Sequence, residues 1–320
     1  MQLPEKITLC EVGLRDGLQN EKSLLSTEQK LQLARKVIAA GCRVVELGSF
    51  VSPRAVPQMA DTDALFAALA GDPGVELRAL IANAKGVERA AACGCKKVKL
   101  NVSASRAHNL ANLNRTPEES IAGFRDCTAL AAERGIEASG SISMPFGSPW
   151  EREIPVSQVC GMIEAYLSVG VSEISLSDTS GMATPKQVYE LMKTVQAQYP
   201  GVRWWLHFHN TRGAAMANIL AAMEAGVTCF DASFAGLGGC PFVPGAAGNI
   251  ATEDVVHLCE GMGVATGMDV RQCLAIAGEV QALVGHGTDS CLLRAGCAAD
   301  LLRELPEGQK RARDCNRTEP

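Results

Sequence analysis

The chain has 320 residues, 47% of them hydrophobic, with a formal net charge of −5 and a pI near 5.7. That is ample material for a large core and too little positive charge for a nucleic-acid partner, since the basic residues are scattered apart from a tail cluster at Lys310, Arg311 and Arg313. No apolar run nears the roughly 20 residues of a bilayer span, no apolar leader precedes the first predicted strand, and a chain this size does not need its thirteen cysteines as staples, so a soluble, cytoplasmic protein without a membrane partner is expected.

The first predicted strand is Ile7–Gly13, followed by the loop Leu14-Arg15-Asp16-Gly17-Leu18-Gln19-Asn20. A helix then runs from Thr27 to about Ala40 with Ser26 as its N-cap. Strands follow at Arg43–Ser49, Glu76–Ala82, Lys97–Ser103 and Ile136–Ser143, and the helix ahead of the last of these starts near Pro117 with Glu118 and Glu119 in its first turn. Further strands are predicted at Glu173–Ser177, Trp204–His209 and Thr228–Ser233, with Gly135, Gly170 and Gly226 ending helices. Eight evenly spaced strand–helix units predict a closed (β/α)8 TIM barrel rather than a doubly wound sheet. Residues from about Glu253 to Arg303 read as extra C-terminal helices beside the barrel, giving a single domain over 1–304. The polar stretch 305–320 reads as a disordered tail.

In such a barrel the reactive groups gather at the carboxyl ends of the strands. His207 and His209 alternate with Phe208 near the end of the seventh strand, so both imidazoles face one side, about 7 Å apart along the chain. Two imidazoles so placed suit a shared metal ion. Asp16 follows the neighbouring first strand and offers a carboxylate, and Asn249, after the Gly-rich segment beyond strand eight, offers an amide oxygen. Taken alone, each is equally a turn or capping residue. A carboxylate, two imidazoles and an amide favour Mg²⁺ or Mn²⁺ over a closed structural zinc. Arg15, beside Asp16, has the fork of donors that stabilises an enolate or carboxylate oxygen. Glu46 lies inside an apolar strand, where an unpaired carboxylate is costly, and is expected to orient Arg15. Asp178, ending the sixth strand, is a further acid for proton transfer or support of the metal. Gly236-Leu237-Gly238-Gly239-Cys240-Pro241-Phe242 reads as a loop over the mouth, with the Cys240 thiol as a proton donor or simply a structural cysteine.

These segments together resemble the 3-hydroxy-3-methylglutaryl-CoA lyase family. The resemblance runs from about Ile7 to Gly263 and rests on Glu11-Val12-Gly13 with Arg15-Asp16-Gly17-Leu18-Gln19-Asn20-Glu21-Lys22. It rests also on Ser49-Phe50-Val51-Ser52-Pro53 with Val56-Pro57-Gln58-Met59, on the Gly236–Pro241 loop, and on Gly248 to Asp254. It implies that Asp16, His207, His209 and Asn249 ligate a divalent metal, that Arg15 holds an enolate, and that Cys240, Glu46 and Asp178 are functional. It further implies that Gln19, Lys22 and Ser49 face an acyl-CoA substrate, that the reaction is retro-Claisen cleavage to acetyl-CoA and acetoacetate (as in leucine degradation and ketone-body formation), and that the protein is a homodimer. Lys22 and Lys99 are expected phosphate contacts. Departures from the family pattern are Leu14 before the Arg-Asp pair, Asn210 and Arg212 after the histidines, His108-Asn109, and the absence of two usual cysteines in Ser143–Pro149. Arg212 adds a charge suited to a differently placed substrate carboxylate. A citramalyl-CoA lyase and an isopropylmalate-synthase type of Claisen enzyme are the alternatives.

Overall fold

The computed structural model describes residues 1–69, 71, 73–239, 243 and 245–301. The elements in chain order are β1 (Thr8–Glu11), α1 (Thr27–Ala39), β2 (Val44–Ser49), α2 (Thr62–Leu69), β3 (Glu76–Ile81), α3 (Ala84–Ala92) and β4 (Lys97–Ser103). Then come α4 (Arg106–Leu113), α5 (Pro117–Ala122), α6 (Phe124–Glu133), β5 (Glu137–Ser143), α7 (Val156–Ser168), β6 (Glu173–Asp178) and α8 (Pro185–Gln198). The last part holds β7 (Arg203–Phe208), α9 (Ala215–Glu224), β8 (Cys229–Ala232), α10 (Thr252–Gly261), α11 (Val270–Val284) and α12 (Cys291–Ala295). Every strand is parallel to its neighbours, and β8 closes on β1 with Leu9 opposite Phe230 and Cys10 opposite Asp231. The expected (β/α)8 barrel is therefore the fold, and α10 to α12 follow it. The expected tail lies outside the described residues. Among the described residues no helix is long and apolar enough to cross a membrane.

Local sequence explains the elements. Ser26 caps α1 in a reciprocal capping box with Gln29, and Thr116 does the same for α5 with Glu119, with Pro117 at the first helical position. Gly135, Gly170 and Gly226 take the positive φ that ends a helix. Alternation along the strands then sorts the faces. Outward residues such as Val45, Leu47, Ile142, Ile174, Leu176 and Leu206 pack beneath the helices in one core.

The lumen is layered differently. Cys10, Val12, Val44, Trp205 and Cys229 form a separate apolar waist. Below it, at the strand starts, Arg78 is 1% exposed, stacks 4.2 Å from the Trp205 ring centroid and lies 3.1 Å from Glu173, which also receives Lys97 at 2.8 Å. This ionic plug fills the lumen at the strand starts. Arg78→Ala is expected to cost about 3 kcal/mol of unfolding free energy, read by urea denaturation, because it leaves a buried carboxylate short of its partner and a void under Trp205.

Candidate metal and active site

The first piece of the site comes from a turn. After Glu11 the chain leaves the ladder, earlier than the sequence suggests, and winds into a π-helical turn over Gly13–Gly17. The amides of Arg15, Asp16 and Gly17 converge on the Val12 carbonyl at 3.1, 2.7 and 3.3 Å, which sets Arg15 and Asp16 over the barrel mouth. The second piece comes from β7, which ends at Phe208 rather than His209. His209 instead bridges antiparallel to Asn249, and the Ile250 amide donates to the Phe208 carbonyl at 3.0 Å. That bridge carries Asn249 to the histidines. The close approach needs glycine: a Cβ on Gly248 would lie 1.7 Å from the Gly236 carbonyl oxygen, and on Gly238 (φ +107°) 2.4 Å from Asn249 Nδ2.

The result is a tight donor set. His207 Nε2 and His209 Nε2 are 3.1 Å apart, and Asp16 Oδ2 lies 3.8 and 3.7 Å from them. Asn249 donates through Nδ2 to Asp16 Oδ2 at 2.7 Å and to the Leu237 carbonyl at 2.9 Å, while its Oδ1 is buried and has no partner among the described residues. Two facing ring nitrogens can share one proton at most, and a buried amide oxygen without a donor is costly. A divalent cation accommodates both imidazoles, the carboxylate and the amide oxygen together, so these residues fit a metal.

The charges around this set form a connected chain. Arg15 donates from Nε to Glu46 Oε1 and from Nη1 to Asp16 Oδ1 at 2.5 Å. Lys99 Nζ reaches Glu46 Oε2 at 2.5 Å and Asp231 at 3.5 Å, and Asp231 Oδ2 lies 3.2 Å from His207 Nδ1. Burial pushes the Asp16 carboxyl up, but Arg15, both imidazoles and the Asn249 amide outweigh it and hold the pKa at about 2. Burial also opposes ionisation of Glu46 and Asp231; Arg15 and Lys99 hold Glu46 below its usual range, and Lys99 and His207 do so for Asp231. For His209, burial and then the neighbouring His207 lower the pKa to about 4, against the pull of Asp16 and the Ala247 carbonyl. Asp16 and His209 therefore need shed no proton near neutrality. Proton competition from these two groups is expected to weaken divalent-ion affinity only as pH falls through about 4. Calorimetric titrations at several pH values check this.

A cavity of about 730 Å³ opens over the cluster and is lined by Arg15, Asp16, Gln19, Lys99, His207, His209 and Gly239 among others. Not every candidate from the sequence faces it. Ser49 is buried outside it, its hydroxyl donating to the Leu80 carbonyl at 3.3 Å and its amide to Thr62 Oγ1 at 3.2 Å. Asp178 accepts from the amides of Met182 and Ala183, both at 3.0 Å, and from Ser180 Oγ at 3.1 Å; it holds the turn after β6, and burial raises its pKa. Arg212 is exposed and donates to the carbonyls of Ser180 and Gly181 at 3.0 and 3.2 Å, clasping that same turn. Lys22 is exposed and does not line the cavity. Lys99 is 3% exposed between two carboxylates, so its ammonium is already engaged and the expected phosphate contact is not met. Cys240 lies outside the described residues; its neighbour Gly239 accepts from Asn20 Nδ2 at 3.0 Å. Asp231 was missed by sequence reasoning, although an acid inside the apolar run Cys229-Phe230-Asp231-Ala232 carries the signal that singled out Glu46.

Known proteins resemble this chain over most of its length. A family model described as HMGL-like matches residues 6–280. The chain is 39% identical over 288 residues to the mitochondrial hydroxymethylglutaryl-CoA lyase of Arabidopsis thaliana, a match covering 90% of this chain but 62% of that relative, less than two thirds of its length. It is 38% identical over 302 residues to the (R)-citramalyl-CoA lyase of Chloroflexus aurantiacus, covering 91% of this chain and 95% of that one. A solved structure of an HMG-CoA lyase from Acenitobacter baumannii in complex with coenzyme A and 3-methylmalate superposes with a TM-score of 0.90 at 39% identity, covering 94% of this chain and 98% of that one. On the matched family model, the barrel and the extent of these similarities, the chain belongs to the HMGL-like family.

Proposed function

We propose that this protein is a metal-dependent carbon–carbon lyase that cleaves 3-hydroxy-3-methylglutaryl-CoA to acetyl-CoA and acetoacetate. The observation that carries the reading is the convergence of Asp16, His207, His209 and Asn249 beside an Arg15 clamped by Glu46, in a chain similar to named lyases of this kind along most of its length. Those four residues would hold a divalent ion, Mg²⁺ or Mn²⁺ from their mixed nitrogen and oxygen donors, and it would supply Lewis acidity toward the substrate's C3 hydroxyl. The hydroxyl loses its proton, the C2–C3 bond breaks, C3 becomes a carbonyl, and the electron pair passes to C2 and the thioester oxygen.

Arg15 has the task of meeting that oxygen. With Nε committed to Glu46 and Nη1 to Asp16, its guanidinium is fixed, and Nη2 has no acceptor among the described residues while Arg15 lines the cavity. Fixed donors aimed at developing charge are the effective kind. We assign the return of a proton to C2 to the Cys240 thiol, next in sequence after Gly239. Gln19, which lines the cavity, and Lys22, which does not, are both proposed to bind substrate. Ser49 and Asp178 are proposed to act by holding the ends of β2 and β6, and Arg212 by fixing the turn after β6. The cysteines among the described residues are free thiols, which supports a reducing, cytoplasmic setting. A homodimer is carried over from the family resemblance and is checked by sedimentation.

The test is acetoacetate release from the purified chain. Chelation with EDTA is expected to abolish it and added Mg²⁺ or Mn²⁺ to restore it; absence of acetoacetate in every metal would sink the reading. The similarity to a citramalyl-CoA lyase supports a second reading, distinguished by pyruvate release from citramalyl-CoA.

A further inference from the structure

The lumen of a (β/α)8 barrel is ordinarily filled by bulky branched side chains. Above the ionic plug, where Glu173 opens β6, the inward positions of two adjacent strands are serine: Ser139, Ser141 and Ser143 on β5, and Ser175 and Ser177 on β6. The alternate positions face the helices, since Ile142, Ile174 and Leu176 lie in the outer core and a Cβ on Gly140 would meet the Tyr166 ring at 2.8 Å. Ser141, Ser143 and Ser177, with Asn101 of β4, line the same cavity as Asp16 and Arg15. Ser177 pairs in register with His207, so this wall begins directly beside the candidate metal ligands.

The wall is small, and it is also polar beyond its own needs. Ser141 Oγ and Ser177 Oγ lie 3.2 Å apart, and Ser143 Oγ donates to Asn101 Oδ1 at 3.0 Å. Each hydroxyl brings one donor and two acceptor sites, and these contacts use only part of that capacity. Asn101 Nδ2 meets no acceptor, and Ser175 Oγ, one pleat deeper, is buried without a partner, both among the described residues. A methyl group would leave this wall unfilled, and a long apolar chain would cover hydroxyls without satisfying them.

We propose that the wall is an acyl subsite for a branch that takes the place of the C3 methyl, is larger than it and carries a hydrogen-bonding group such as a hydroxyl or carbonyl. This rests on the lyase reaction proposed above. The substrate class is then a 3-hydroxyglutaryl-CoA thioester with a polar branch at C3 in place of the methyl. The hydroxyl proton leaves, the C2–C3 bond breaks, C2 takes the electron pair and one proton to give acetyl-CoA, and C3 leaves as the ketone of a 3-oxo acid that retains the branch.

Three thioesters test it, identical except at C3: methyl, an unbranched alkyl chain, and a hydroxyalkyl chain of equal length. The full chain with Mn²⁺ is expected to show kcat/KM at least tenfold higher for the hydroxyalkyl thioester than for either other. Ser141→Ala with Ser177→Ala is expected to remove most of that preference. Best turnover on the methyl thioester, with ratios unmoved by the two substitutions, overturns the subsite. Affinities of analogues lacking the C3 hydroxyl, read by calorimetry, separate the two levels of the argument. If nothing is cleaved but the hydroxyalkyl analogue still binds tenfold tighter and the variants lose that margin, the subsite stands and the reaction falls. If the three analogues bind alike, the subsite falls whatever is cleaved.

Discussion

Arg15→Lys is expected to lower kcat by roughly 10³-fold while leaving divalent-ion affinity near that of the parent. The guanidinium here meets Glu46 through Nε and Asp16 through Nη1, and Arg15 lines the cavity with Nη2 free of any acceptor among the described residues. An ammonium is one compact charge on a flexible stem, and from this position it can satisfy the two carboxylates or the forming enolate oxygen but not both. Glu46 and Asp16 are held ionised by more than Arg15: Lys99 also engages Glu46, and both imidazoles and Asn249 flank Asp16. A lysine therefore keeps the local charge balance and removes the aimed donors. Single-turnover kinetics with 3-hydroxy-3-methylglutaryl-CoA and a separate Mn²⁺ titration read the two quantities. Unchanged kcat would remove Arg15 from the enolate site. A parallel fall in metal affinity would mean that Arg15 serves chiefly to place Asp16.

How far such a site is legible in the sequence depends on the range of the contacts that build it. The barrel was readable because most strands are short runs with apolar outward positions and helices such as α1 and α5 carry their own capping signals, and β4 spans Lys97–Ser103 as expected. His207 and His209 stood out because strand alternation places them on one side, a property of two neighbouring residues. The features that escaped are long-range. Asn249 reaches His209 through a backbone bridge forty residues away in sequence, and nothing local to either residue announces it. The π-helical turn at Gly13–Gly17 depends on three amides sharing the Val12 carbonyl, which no periodicity encodes. Lys99 and Asp231 are charged residues within apolar strands, and sequence alone does not say that they meet across the lumen and balance one another. Ser49 shows the opposite failure: its place in a recognisable motif suggested substrate, while its hydroxyl is directed to the Leu80 carbonyl.

His209→Ala carries the second large effect, because it separates the two ways this residue takes part in the site. Its backbone bridges to Asn249, and alanine preserves that bridge, so the strand-end geometry and the thermal stability are expected to change little. Its imidazole is buried, lies 3.1 Å from His207 Nε2 and 3.7 Å from Asp16 Oδ2, and is lost. Removing one of the four proposed donors would weaken the hold on an ion and its Lewis acidity together, and kcat/KM is expected to fall by on the order of 10³-fold. Mn²⁺ affinity read by electron paramagnetic resonance should fall in parallel, and millimolar Mn²⁺ should recover part of the lost rate. Because its pKa is held near 4, His209 offers a free lone pair at neutral pH, so the loss should persist at pH 7 and pH 8 alike. A variant with parental Mn²⁺ affinity, or one that loses activity and gains none from excess metal while remaining folded, would show that the imidazole is not a ligand, and the metal would have to be sought elsewhere at the mouth.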